Sequence, residues 1–225
     1  MREFLPVLSG SPLFEGINAE HILSMLACLS PRRKAFERGA FILREGEATD
    51  AFGLVLAGRV HVTQEDFWGN RNLITDIAAG EIFAESYACS QGVPLGANVV
   101  AQEQTLVLFL NVRRALSACP AACSFHNALI RNLVALLAAK NLLMNEKLQH
   151  ITHRSTREKL LSYLSAQSAK AGRHSFEIPF NRQQLADYLS VDRSAMSGEL
   201  GKLRDEGILR FHRSHFELCA QADPD

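Results

Sequence analysis

The sequence predicts an α+β protein with an N-terminal β-roll of the double-stranded β-helix (jelly-roll) type, a long dimerisation helix and a C-terminal winged helix-turn-helix. Three observations carry this prediction. Short apolar runs alternate with turn residues in the first half of the chain, and an apolar repeat with spacings of four and three follows. Two short amphipathic helices then precede a hairpin. We place the three parts at residues 1–119, 120–153 and 154–225.

The composition is that of a globular protein without a strong charge bias. The 225 residues are 47% hydrophobic and 21% charged, and the formal net charge is zero. Residues 133–139 form a short apolar run in the long helix, and residues 1–16 lack the basic start and apolar core of a signal peptide. Five scattered cysteines argue against a secreted disulfide framework. We therefore expect a cytoplasmic protein with no membrane partner.

Residues 33–110 are predicted to form the β-roll because glycines separate their short apolar runs. In "DAFGLVLAGRVHVTQ" two such runs meet at Gly58, which indicates a hairpin or a tight corner. Gly69 and Asn70 predict another turn. Before the roll, residues 18–29 fit a short helix with Asn18 as its N-cap.

The long helix is predicted to begin at Pro120. Its heptad repeat defines a candidate dimer seam with one polar member, and facing asparagines at such a position favour a parallel dimer because they fix the register. The alternative is a core helix buried within its own subunit. Leu129, Leu133, Leu136, Leu142 and Leu143 lie off the seam and are expected to cover the roll. The seam comprises Ile130, Val134, Leu137, Asn141, Met144 and Leu148.

The helix-turn-helix is predicted from residues 183–189, capped by Asn181, and residues 193–206, capped by Asp192. A hairpin with its turn at Arg213 and Ser214 would form the wing. The segment from residue 152 to residue 218 has 11 basic and 8 acidic residues, which suits nucleic acid without requiring it. The alternative is an ordinary αα-hairpin.

The exposed face of the second helix carries the case for DNA. Its first turn offers Arg193, Ser194 and Ser197, and arginine and serine side chains bond the edges of bases. We expect Arg182, Lys202 and Arg213 to contact phosphates, assisted by the wing residues His212 and His215.

With "FERGAFILREGEATDAFGLVLAGRVHV" and "RQQLADYLSVDRSAMSGELGKLRDEGIL" in this order, the chain resembles the CRP/FNR superfamily of dimeric bacterial transcription regulators. The resemblance covers nearly the whole chain. It implies a sequence-specific, non-enzymatic homodimer that binds palindromic double-stranded DNA, has RNA polymerase as a partner and answers a small-molecule or redox signal at the roll. By the same resemblance, Arg193 and Ser194 fall on base-reading positions and Arg182 on a phosphate-contacting one. Gly198 stands where many members have an arginine, and Ser190 occupies a turn position that is often glycine.

The resemblance also locates an effector pocket. Cyclic-AMP-binding members carry a motif similar to G-E-(x)n-R-[ST]-A, whereas Leu95 and Gly96 stand at the positions of its arginine and hydroxyl residue. Because a buried phosphate without a cation is costly, we predict no tight binding of cAMP or cGMP and leave the effector unidentified. The pocket residues are Ala84, Glu85, Ser86, Cys89, Leu95, Gly96 and Ala97.

Other cofactors and functions are weighed in the same way. Only Cys28 precedes the roll, which disfavours an iron–sulfur cluster, while haem stays open because one His or Cys would suffice. Cys119, Cys123 and His126 share a helix face and suggest either a redox or metal sensor, with Cys89 completing the set, or buried small side chains beside a backbone-bonded histidine. The alternative functions are a cyclic-nucleotide-responsive regulator of the CRP type and a cupin-like enzyme. Only one histidine, His61, lies in the roll, which argues against the enzyme.

Overall fold

The computed structural model describes residues 1–65, 71–90, 92–117 and 124–219. The chain forms two compact units, Met1–Ala139 and Lys140–Asp225. The division falls inside the long helix, so that this helix contributes to both units. The three-part division at residues 119 and 153 stays a prediction.

The first unit begins with two helices, α1 (Leu5–Gly10) and α2 (Ala19–Leu29), each preceded or followed by a short 3₁₀ turn. The Oδ1 atom of Asn18 accepts a hydrogen bond from the His21 N–H at 2.9 Å, which confirms the predicted N-cap of α2. Ile22, Met25 and Leu26 of α2 are buried. This amphipathic pattern is what attaches the helix to the roll.

The β-roll has eight strands within the described residues, arranged as two four-stranded antiparallel sheets of order β1-β8-β3-β6 and β2-β7-β4-β5. Gly58 is the corner at which the chain leaves the first sheet and enters the second. Its φ is +84°, and an added Cβ would lie 2.6 Å from the Gln104 carbonyl oxygen, so only glycine fits. The strands are β1 (Arg32–Phe36), β2 (Phe41–Leu43), β3 (Ala51–Ala57), β4 (Val60–Glu65), β5 (Arg71–Ile77), β6 (Ile82–Phe83), β7 (Asn98–Ala101) and β8 (Thr105–Asn111).

Strand β3 contributes side chains both to the cluster with the N-terminal helices and to the cluster inside the roll. Six consecutive residues of β3 are buried, so both faces of this strand lie in apolar surroundings. Phe52, Leu54 and Leu56 pack in a cluster with the N-terminal helices, while Val55 joins a second cluster inside the roll. The turn predicted at Gly69 and Asn70 lies outside the described residues, although β4 and β5 on either side of it pair antiparallel.

Two short helices complete the first unit, α3 (Glu85–Cys89) and α4 (Val112–Leu116), and the long helix α5 (Ser124–Ile151) follows. Its predicted start at Pro120 lies outside the described residues. Leu129 and Leu133 are buried, as predicted, in the apolar cluster that β3 forms with the N-terminal helices, which we name the first core. The prediction for Leu142 and Leu143 is wrong, because these side chains are 68% and 62% exposed instead of covering the roll.

Helix α5 is unusually apolar for its exposure. By length and composition alone, Phe125–Ile151 is long enough and apolar enough to cross a membrane, with a mean hydropathy of 1.2. Only 11% of its most apolar window is buried. A helix whose heptad seam packs against a second helix has the same apolar composition. The charged residues Arg131 and Lys140 interrupt the apolar sequence of α5.

The second unit contains α6 (Thr156–Ala171), α7 (Arg182–Leu189), α8 (Arg193–Asp205) and a small sheet of order β10-β11-β9. Strands β9 (Ser175–Glu177), β10 (Leu209–His212) and β11 (His215–Leu218) confirm the predicted short strand and hairpin. Leu160 and Leu164 of α6 pack with residues of α7, α8 and the sheet in one apolar core. The unit is therefore a winged helix-turn-helix, as the sequence predicts.

Candidate DNA interface and effector cassette

The turn between α7 and α8 is built from local hydrogen bonds. Asn181 and Gln184 form a reciprocal capping box at the start of α7, with both hydrogen bonds at 2.9 Å. Ser190 ends α7 in the left-handed conformation, with φ +52°. The Oδ1 atom of Asp192 then accepts a hydrogen bond from the Ala195 N–H at 2.8 Å and starts α8. These contacts fix where α7 begins and ends and where α8 begins.

The residues predicted to read bases share one exposed face of α8. Arg193, Ser194 and Ser197 are exposed, as is Gly198 beside them. Arg193 has no ion-pair partner in the described part of the chain, so its guanidinium is available to an external acceptor. The Ser197 hydroxyl donates to the Arg193 carbonyl oxygen at 2.9 Å. Its proton is therefore engaged, and Ser197 is left to accept hydrogen bonds from a base.

The predicted phosphate contacts have three different environments. The Lys202 Nζ lies 3.2 Å from the Glu199 Oε2, and this ion pair partly neutralises the charge of the lysine. The Arg182 guanidinium stacks over the rings of Phe211 and Phe216, at 4.8 and 5.0 Å from their centroids.

The third, Arg213, is exposed at the tip of the wing with φ +53°. It and Arg182 both line an open cavity of about 880 Å³ beside Asn181, at the start of α7. The cavity thus places two cations next to the positive end of a helix.

Arg157 of α6 braces the recognition helix α8, and the sequence pattern did not reveal it. Its Nη1 atom donates to the Glu206 Oε1 at 2.9 Å and to the Glu199 Oε1 at 3.4 Å. Hydrogen bonding to Glu206 raises the pKa of Arg157, so this cation stays charged. More than forty residues separate Arg157 from both carboxylates, and no local spacing could have indicated the contact.

The effector pocket residues lie on α3 and on the loop before β7, a pair of segments that we name the cassette (residues 84–90 and 92–97). Ala84 has φ +60°, a conformation in which glycine is the usual residue. Glu85 is only 4% exposed. Leu95 and Ala97 are buried, at 3% and 5% exposed, so the position matched to the phosphate arginine holds an aliphatic side chain in the core.

Tyr87 closes the cassette, and the sequence analysis missed it. Its hydroxyl accepts a hydrogen bond from the Gly96 N–H at 3.2 Å, which joins the two segments. A Cβ at position 96 would approach the same hydroxyl to 3.1 Å. The backbone donor at the matched hydroxyl position is thus already engaged by a neutral phenol. The sequence from Gly80 to Val112 contains no lysine or arginine.

The polar residues of α3 differ in exposure. Ser86 is exposed, whereas Cys89 is half-buried beside the first core. Burial raises the pKa of the Cys89 thiol, and the Glu85 carboxylate raises it further. Cys89 is therefore protonated at neutral pH, which makes it a weak nucleophile and a weak metal ligand.

The candidate sensor cluster is only partly visible. Cys119 and Cys123 lie outside the described residues. His126 is buried, and its Nε2 atom donates to the Ala115 carbonyl oxygen at 3.0 Å, which is the backbone-bonded arrangement of the simpler alternative. Within the described ranges, no group of three or more His, Cys, Asp and Glu side chains is placed to hold a metal ion.

The seam residues of α5 are largely exposed in the single chain. Val134, Met144 and Leu148 are 57%, 55% and 44% exposed, while Ile130 and Leu137 are half-buried. The polar member is held within its own helix, because the Oδ1 atom of Asn141 accepts a hydrogen bond from the Asn145 Nδ2 at 2.9 Å. Leu137 packs against the core of the first unit, whereas Val134, Met144 and Leu148 lack a cover in the described chain.

Comparison with known proteins gives the same two parts. Residues 33–120 match the model of the cyclic nucleotide-binding domain, and residues 158–221 match that of the Crp-like helix-turn-helix domain. Over 210 residues the chain is 26% identical to the cyclic AMP receptor protein of Thermus thermophilus, and the match covers 90% of both proteins.

Comparison with solved structures gives the same fold for the chain. The Thermus thermophilus catabolite activator protein matches with a TM-score of 0.50 and 25% identity, over 93% of this chain and 94% of that one. The c-di-GMP-responsive global regulator CLP of Xanthomonas campestris shares the fold with a TM-score of 0.55 and 17% identity, over 91% of this chain and 100% of that one. With its β-roll, its long helix and its helix-turn-helix in this order, the chain belongs to the CRP/FNR family of DNA-binding transcription regulators.

Proposed function

We propose that this regulator acts as a cytoplasmic homodimer without enzymatic activity, binds a palindromic DNA site through two copies of α8 and works with RNA polymerase. The exposed face of Arg193, Ser194 and Ser197 supports the DNA-reading role, and the uncovered seam of α5 supports the dimer. A two-fold dimer places its half-sites about 34 Å apart, one turn of DNA.

The effector is the part of the proposal that departs from the named relatives. One relative is called a cyclic AMP receptor protein, and a cyclic-nucleotide-responsive regulator is the competing function. The cassette opposes it, because Leu95 is buried where a cation would be needed and Tyr87 engages the Gly96 N–H. We infer a small-molecule or redox signal other than cAMP or cGMP, and the cassette is the single observation that carries this inference.

Such a signal acts by binding one geometry of the dimer better than another. The dimer helices connect the roll to the winged helices along the chain. A shift in their arrangement would change the spacing of the two recognition helices, and this spacing must match the half-sites.

Calorimetric titration of the purified full-length chain with cAMP and cGMP tests the effector. We expect no binding tighter than about 10 μM, which corresponds to about −7 kcal/mol. The double variant Leu95→Arg/Gly96→Ser restores the anion-contacting residue types and is the matched comparison, with tighter nucleotide binding expected. Sub-10 μM binding by the unaltered chain would refute the inference.

Sedimentation velocity tests the seam. Met144→Glu introduces a charge at a seam position and is expected to shift the protein towards monomers, because a dimer would bury that charge. Leu142→Glu is the control, since its side chain is also exposed but lies off the seam, and it is expected to remain dimeric. Equal behaviour of the two variants would contradict the predicted seam.

A further inference from the structure

His150 is a buried histidine in the last turn of α5 that DNA reading does not use. The residue is 2% exposed. Its Nδ1 atom lies 2.8 Å from the Ser162 Oγ of α6, whereas its Nε2 atom is 3.8 Å from the Glu146 Oε1, beyond hydrogen-bond distance. The Nε2 atom has no hydrogen-bond partner within the described residues. Buried polar atoms are rarely left in this state.

Aromatic rings surround the imidazole on two further elements. The Tyr163 ring of α6 meets His150 edge-on at 5.6 Å between centroids, and the Tyr188 ring of α7 lies at 6.4 Å. The two tyrosine rings are 5.4 Å apart and contact each other. His150 thus contacts both α6 and α7 from the last turn of α5.

The carboxylate near His150 is already paired with a lysine. Glu146 is the neighbouring carboxylate, but the Lys170 Nζ of α6 lies 2.6 and 2.7 Å from its two oxygens and already holds it. Lys147 stacks on Tyr188, at 5.5 Å from the ring centroid, and His153 follows the helix. A protonated His150 would therefore have to share the Glu146 carboxylate with Lys170, which is already bound to it.

The tyrosines add no charge of their own. Burial raises the pKa of both Tyr163 and Tyr188, so both stay neutral. Burial also lowers the pKa of His150, an effect that Glu146 opposes and that Lys170 and His153 reinforce. Neutral His150 is accordingly the form that the folded unit accommodates at neutral pH.

We propose that His150 is a proton-sensitive latch, which fastens the last turn of α5 to α6 and α7 when neutral and loosens that packing when protonated. Its effect on DNA rests on the proposed function, in which α5 forms the dimer. Acidification would then weaken the connection between the dimer helix and the DNA-reading unit.

The direction of the pH effect follows from linkage. The folded pKa of His150 lies below its ordinary value of about 6.5. The unfolded chain therefore binds the proton first as the pH falls, and the free energy of unfolding decreases through the interval between these two pKa values. Below the folded pKa, both states are protonated and this residue contributes no further change.

An NMR titration of the histidine side chains in the full-length protein, from pH 8 downwards, tests the latch without DNA. We expect His150 to titrate below about 6.5, and the amide signals of Ser162 and Tyr188 to move with the same midpoint. An ordinary midpoint, or no response at Ser162 and Tyr188, would overturn the proposal. This measurement needs no variant and so does not depend on whether an altered chain folds.

Thermal unfolding at pH 7.5 and 5.5 tests the consequence for stability. His150→Gln retains a hydrogen-bonding side chain but cannot titrate, so its melting temperature should fall less on acidification than that of the unaltered chain. His174→Gln is the matched control, because His174 is exposed and is not among the groups whose charge acts on His150; it should keep the full pH effect. Equal acid sensitivity of His150→Gln and the unaltered chain would contradict the latch.

DNA affinity at the same two pH values separates the latch from the proposed function. Both chains carry His212→Gln and His215→Gln, so that the exposed histidines of the wing do not contribute to the comparison. The chain with His150 should lose affinity severalfold relative to His150→Gln at pH 5.5. If His150 titrates as expected by NMR but the two chains bind DNA with equal affinity at pH 5.5, the coupling to DNA is refuted and the latch is not. Failure of the unaltered chain to bind DNA at pH 7.5 would refute the proposed function instead.

Discussion

The helix-turn-helix and the cassette share a backbone feature, a non-glycine residue in the left-handed conformation, but they differ in the chemistry of their side chains. The two residues are Ser190, with φ +52°, and Ala84, with φ +60°. By the resemblance, Ser190 stands at a turn position that is often glycine, and Ala84 stands before Glu85 where the motif of cyclic-AMP-binding members has its glycine. After Ser190 come Arg193, Ser194 and Ser197, the side chains that we predict to read bases, and all three are exposed. After Ala84, Leu95 and Gly96 stand at the positions that the resemblance matches to the anion contacts. The turn depends on chain geometry, whereas ligand contacts depend on side chains, so one can persist while the other changes.

The two regions also differ in how they face solvent. The reading face of α8 exposes a cation, Arg193, that has no ion-pair partner in the described part of the chain. The cassette turns Leu95 and Ala97 inwards and joins its two segments through Tyr87. The first surface exposes a cation, whereas the second buries the aliphatic side chain of Leu95 at the position that the resemblance matches to the phosphate arginine.

The largest expected effect is on DNA affinity. Arg193→Ala should weaken binding to the preferred site by about 1–3 kcal/mol, because a bidentate contact to guanine is lost, and it should relax preference at that base pair. Site selection followed by gel-shift titration at fixed salt measures both quantities.

The control for Arg193 is Arg204→Ala on the same helix. Arg204 is exposed but donates to the Asp205 Oδ1 at 3.0 and 2.9 Å, towards the other end of α8. It should leave site preference unchanged. If both variants kept the original preference, Arg193 would not be a reader.

A smaller effect is expected on the stability of the recognition helix. Gly198→Ala should stabilise the winged-helix unit by about 0.8–1 kcal/mol, the difference in helix propensity between the two residues. A Cβ there would meet no atom within 4 Å. Urea unfolding measures the change, and Gly201→Ala, equally open, is the matched comparison. Stabilisation by Gly201→Ala alone would show that position 198 requires glycine for its backbone.

The smallest effect concerns the two left-handed turns. Ala84→Gly and Ser190→Gly should each stabilise the protein by roughly 0.5–1 kcal/mol, because relief of left-handed strain exceeds the added flexibility of the unfolded chain. Urea unfolding again provides the measurement. Ala88→Gly, in the buried face of α3, should destabilise. Loss of stability in Ala84→Gly would mean that its methyl group packs usefully, and the analogy between the turns would fail.

Local signals explain what could be predicted. The caps Asn18, Asn181 and Asp192 each accept a hydrogen bond from a backbone N–H three residues along the chain, so a short window contains the whole interaction. Strand and helix periodicities are equally short-ranged. These signals were enough for the fold, for the recognition helix and for the disagreement at Leu95 and Gly96.

The sequence by itself therefore determined the order of the elements, their caps and the residue types offered to DNA and to an effector. Only the tertiary structure decided that Tyr87 closes the cassette, that Arg157 braces α8 and that His150 is enclosed by α6 and α7. It also decided that Leu142 and Leu143 are exposed. The physical reason is that these contacts join different elements through chain folding, and burial depends on which surfaces meet rather than on the spacing of residues.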